Sequence, residues 1–107
     1  MFNAIILLSR REGVSPEEFR KWWLESHAPL ACSLPALRGL RFNVVDGEDP
    51  QFDGVSELWF DTPEAFEEAY ASPHGQRVAE DSLANVSRRE RLFVTEHILQ
   101  AHPFCPG

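Results

Sequence analysis

The sequence predicts a single α+β domain with the element order β-α-β-β-α-β, on three observations. Two helix starts of one pattern, Ser15-Pro16-Glu17-Glu18-Phe19 and Thr62-Pro63-Glu64-Ala65-Phe66, lie 47 positions apart. Each is preceded by one apolar, strand-like run and followed by another. The stretch between the two halves, Asp46 to Gly54, is filled with Asp, Gly and Pro, the residues of turns. That order is two split βαβ units, a ferredoxin-like arrangement in which a four-stranded antiparallel sheet carries its helices on one face. A chain of 107 residues has room for one such domain, placed at residues 1–100, with an irregular, proline-containing tail over 101–107.

The first strand is the apolar run Phe2 to Leu8. At the helix start that follows, the Ser15 hydroxyl can cap a free backbone N–H. Pro16 suits the first helical position, and the glutamates favour the positive end of the helix dipole. Ser15 with Glu18 also forms a capping box. Phe19, Trp22, Trp23, His27, Leu30 and Leu34 then recur at spacings of three and four, which predicts one apolar stripe facing the sheet. Leu40 to Val45 gives the second strand and Val55 to Phe60 the third.

The second helical region carries Ala65, Phe66, Ala69 and Tyr70 on one face, then meets Ser72-Pro73, a stop and a fresh start. A further segment runs from Gly75 to Leu83. Ser87 to Glu90 has the spacing of another capping box, and Leu92 to Leu99 supplies the last strand. In strand three Val55, Glu57 and Trp59 share one face, while Ser56, Leu58 and Phe60 share the other. Large apolar groups on both faces predict a homodimer that covers the sheet surface left bare by the helices.

Charge excludes some partners. The net charge is −7, and between Arg41 and Arg77 there are nine carboxylates and no Lys or Arg. Such a surface repels phosphate backbones and anionic membranes, so neither nucleic acid nor membrane is expected. No stretch reaches membrane-spanning length. Two cysteines, Cys32 and Cys105, without metal or redox spacing predict free thiols in the cytoplasm. No glycine-rich phosphate loop or metal-ligand spacing occurs, and no cofactor or metal is expected.

The run Phe19-Arg-Lys-Trp-Trp-Leu-Glu-Ser-His27-Ala-Pro-Leu30 resembles the EthD family. So do Leu34-Pro35, Glu57-Leu-Trp-Phe60 with Asp61-Thr-Pro-Glu-Ala-Phe66, Ser72-Pro73, and Phe93-Val-Thr-Glu96, in the family's order. The resemblance implies a dimeric α/β-barrel, two ferredoxin-like subunits packed sheet to sheet, with a pocket between the sheet and helices of each. Relatives on the fold include methylmuconolactone isomerases, polyketide dehydratases and cofactor-free monooxygenases. Fold analogy does not choose among these reactions. The isomerases carry a Cys where Leu58 stands here, and Ala84-Asn85-Val86 stands where relatives often have an aromatic followed by Asp.

Among the chemistry-bearing residues, His27 can accept or donate a proton near neutral pH, and the inward stripe places it at a pocket wall. Glu57 sits mid-strand between two apolar neighbours on its face, which makes it a candidate acid, base or orienting partner for His27. Glu96 shows the same pattern in strand four. Trp23, Trp59 and Tyr70 would form an aromatic wall, and Asn43 would offer a neutral polar group. Asp81 and His74 could rim the pocket, although a solvated helix face is the plainer reading for both. The expected function is proton transfer, isomerisation, dehydration or oxygenation on a small hydrophobic catabolic or biosynthetic intermediate. The alternative is a non-catalytic accessory protein that binds such a compound for a partner oxygenase.

Overall fold

The computed structural model describes residues 1–100, so the tail assigned above to 101–107 lies outside the described residues. Four strands, β1 (Phe2–Arg10), β2 (Gly39–Val44), β3 (Gly54–Phe60) and β4 (Val86–Val94), form one sheet in the order β2-β3-β1-β4. All three pairings are antiparallel. The helical elements are α1 (Pro16–Lys21), a π-helical segment (Trp22–His27), α2 (Ala28–Cys32), α3 (Pro63–Ala71) and α4 (Pro73–Asn85). The ferredoxin-like order predicted from the sequence is present.

Both helix starts form as their sequences dictate. The Glu18 N–H donates to Ser15 Oγ at 3.1 Å and the Ser15 N–H to Glu18 Oε1 at 3.5 Å, closing the capping box. Thr62 Oγ1 accepts from the Ala65 N–H at 3.0 Å. Ser72 joins α3 to α4, donating to the Ala69 carbonyl at 2.6 Å and accepting from the Gly75 N–H at 3.0 Å. Gly75 is needed there, because a Cβ would stand 1.9 Å from the Ala69 carbonyl oxygen.

The alternation of β1 and β3 sorts side chains cleanly. Ala4, Ile6 and Leu8 pair across to Leu58, Ser56 and Gly54 on the helix-covered face, and all of these are buried. Phe19, Trp23, Phe66 and Val78 close over them from the helices to complete the core. Ile5, Leu7, Val55 and Trp59 point to the open face and are half-buried.

Two expectations are corrected. The first helix is not one continuous α-helix. From Trp22 to His27 it widens into a π turn, and the Ala28 N–H bonds back to the Trp23 carbonyl, five residues earlier. Side-chain spacing of three and four does not distinguish these two windings over so short a run. The last strand also runs from Val86 to Val94, not from Leu92 to Leu99. The charged run Arg88-Arg89-Glu90-Arg91 is strand, not a helix cap, because β4 is an edge strand and tolerates charge on its rim.

Candidate functional site

A cavity opens between the helix-covered face of the sheet and the helices. Trp23, His27, Phe42, Ser56, Tyr70 and Arg89 are among its lining residues. About 340 Å³ is free of atoms, including the mouth; most of it is thin clearance, and the part wide enough for water is small. Trp23 is fully buried and stacks on Phe42 with ring centroids 4.3 Å apart and planes 10° from parallel. Its indole Nε1 is buried without a hydrogen-bond partner. Gly54 makes this packing possible, since a Cβ there would meet the Trp23 ring at 2.7 Å.

His27 comes from the C-terminal end of the π turn and is 6 % exposed. Its Nδ1 stands 2.8 Å from Asp81 Oδ2, a contact between the π segment and α4. A carboxylate only accepts, so it selects the tautomer with hydrogen on Nδ1. Nε2 is thereby left with a lone pair, and it has no hydrogen bond to any described residue. Burial lowers the His27 pKa, against the upward pull of the Asp81 hydrogen bond and charge, and Arg89 adds to the lowering. The result is a neutral imidazole at pH 7, held by an acid on one side and open on the other.

Tyr70, from α3, has its phenol pKa raised by burial, with Arg89 and Arg91 pulling the other way. Arg89 reaches the cavity from β4, where it pairs with Leu8 on the helix-covered face. Ser82 of α4 adds a hydroxyl to the lining.

The structure brings together only part of the expected site. His27, Trp23 and Tyr70 share the cavity. Glu57, Asn43 and Trp59 do not, because each alternates with a cavity-facing neighbour and so lies on the opposite face of the sheet. Glu57 pairs with Ile5 and Arg41 there, and Asn43 donates to the Val55 carbonyl at 3.1 Å. The sheet itself separates Glu57 from His27, and Asp81 stands in the orienting position instead. Glu96 lies beyond the end of β4 and is exposed. His74 is not on a solvated face, since its Nε2 meets the Leu30 carbonyl at 2.7 Å and ties α4 to α2.

Arg89 is the lining residue that sequence reasoning passed over, and Asp81, weighed there as a rim residue but read as solvated, is the acid beside His27. Val78 and Ser82, both buried, mark the inward side of α4, and Asp81 adjoins it. That spacing of four was the available signal. Arg89 was hidden in a charged run that resembles a helix start.

Comparison with known proteins fits this frame. The EthD domain matches residues 11–87. The chain belongs to the EthD family. An EthD family protein from Bacillus halodurans superimposes with a TM-score of 0.80 at 21% identity, covering 91% of this chain and 99% of that one. A dimeric ferredoxin-like protein of unknown function from Thermobifida fusca gives 0.72 at 14% identity, covering 89% and 90%. A variant of SnoaB, a cofactor-independent oxygenase from Streptomyces nogalater, gives 0.65 at 19% identity, covering 95% and 96%. At these identities the structures share the EthD chain's fold. No helix of the described residues is long and apolar enough to cross a membrane.

Proposed function

We propose that this EthD-family chain is a cofactor-independent enzyme that moves a proton on a small hydrophobic intermediate, with His27 as the general base. The observation that carries this is the His27–Asp81 pair: Nδ1 is engaged at 2.8 Å, the ring is neutral, and Nε2 is unpartnered at the wall of a largely apolar cavity. A neutral imidazole oriented by a carboxylate is suited to accept a proton from an acidic C–H. Asp81 then stabilises the imidazolium that forms. The carbanion left behind can be reprotonated elsewhere, expel a hydroxyl, or react with oxygen, which are the isomerase, dehydratase and oxygenase outcomes. The oxygenase among the structural neighbours supports the last of these as one route on this fold.

We also propose that two copies pair through the open sheet face, where Ile5, Leu7, Val55, Trp59 and Leu92 lie together. The dimeric neighbour on the same fold supports this pairing.

The test uses anthrone, whose methylene is acidic and whose body is flat and neutral. In D2O at pH 7 the protein should accelerate deuterium uptake at that carbon, read by mass spectrometry. His27→Gln should slow it by roughly 10²–10⁴-fold, the usual worth of an acid–base group. Equal exchange by both proteins removes His27 from the mechanism. Binding of anthrone without acceleration leaves the accessory role, a carrier for a partner oxygenase.

A further inference from the structure

The geometry points to a carboxylate on the ligand of this cavity, paired with Arg89. The inference deepens the proton-transfer reading and rests on it for the identity of the pocket. Arg89 lies on β4 opposite Leu8, facing the helices, and lines the same cavity as His27 and Tyr70. It makes no hydrogen bond or ion pair with any described residue. A half-buried cation without a counter-ion is a costly arrangement for the folded chain alone.

The charged groups around it sharpen the point. From β4 itself the neighbour is Arg91, a second cation. From α3 it is the Tyr70 phenol, and from the π segment the neutral His27. The acid packed against this cavity, Asp81 of α4, is engaged by His27 Nδ1 and by the Asn85 side chain. No carboxylate of the described residues acts on Arg89. A chain of net charge −7 therefore holds uncompensated positive charge in its pocket. A guanidinium fork matches a carboxylate with two parallel hydrogen bonds, and a partly desolvated site strengthens them. Phe42, half-buried and backed by the fully buried Trp23, supplies an aromatic part of the same cavity lining. The ligand class that satisfies both is a planar or cyclic carboxylic acid, its anion at Arg89 and its body against Phe42, entering as lining side chains move aside to widen the thin clearance.

The probes are 2-naphthoate and 2-naphthamide, equal in shape and different in charge, with binding read from amide chemical shifts in a titration. The wild-type protein should prefer naphthoate by about tenfold or more. Arg89→Gln should bring that ratio close to one, while Arg89→Lys, which keeps the charge and loses the fork, should fall between. Shifts should concentrate on residues around the cavity. Equal affinity for the two probes overturns the inference, as does a preference unchanged in Arg89→Gln, or the absence of binding by either probe. The deuterium-exchange test uses neutral anthrone and reads proton transfer, whereas this one reads binding without turnover. Failure of one is therefore distinguishable from failure of the other.

Discussion

His27 is pulled in two directions, and the balance has a measurable sign. Burial disfavours the charged ring and outweighs the hydrogen bond and charge of Asp81, so the folded pKa lies below the ordinary value of 6.5. A depressed histidine pKa means the native state resists protonation. The stability this neutral form provides is complete above about 6.5 and drains away as the pH falls through the folded value. An NMR titration of the His27 ring should give a midpoint below 6.5. In Asp81→Asn, which removes the attractive charge, the midpoint should move lower still. A wild-type midpoint above 6.5 contradicts the dominance of burial, and an upward move in the variant contradicts the assignment of Asp81 as the group that holds the ring.

The helix that carries His27 is shaped at the level of the element. The π turn from Trp22 to His27 widens the backbone where two indoles and an imidazole must all be accommodated. Trp23 then lies flat between Phe42 and the bare backbone of Gly54. That glycine is a packing requirement, because the Trp23 ring would stand 2.7 Å from any Cβ. Gly54→Ala should therefore cost about 1–3 kcal/mol by forcing the ring to shift. A domain of this size loses roughly 4–8 °C of Tm per kcal/mol, which calorimetry can resolve. An unchanged Tm would mean that β3 and the π segment yield without penalty. At one edge of the sheet, β4 alternates Arg89 and Arg91 toward the helices with Leu92 and Val94 toward the open face. One edge strand thus contributes to both the cavity and the proposed interface.

For the whole molecule, the sheet divides two tasks. One face is closed by helices and holds the cavity; the other presents Ile5, Leu7, Val55, Trp59 and Leu92. Leu92 is 48% exposed, a poor state for a leucine beside other apolar side chains unless a second surface covers it. In the proposed homodimer, Leu92→Glu adds two like-signed groups to an interface that already carries Glu57 from each copy. Sedimentation equilibrium should show a wild-type dimer and a variant shifted to monomer. A wild-type protein that sediments as a monomer at micromolar concentration removes the pairing.

Local chemistry was enough to read the element order, both helix caps, the break at Ser72-Pro73, and the inward stripe with His27 and Trp23. Caps, proline geometry and apolar period act over a few residues, so adjacent letters encode them. The faces of β3 are likewise legible, though not which of them meets the helices, and for that reason Glu57 reads from the sequence as a candidate acid, base or orienting partner for His27. The tertiary structure decided it through the register of β1 against β3. It also brought Asp81 to His27 across 54 positions and set Arg89 at the cavity from within a charged run. Contacts of that kind depend on how whole elements stack. No spacing along the chain records them, because the partners of a buried charge are chosen by the packing that buries it.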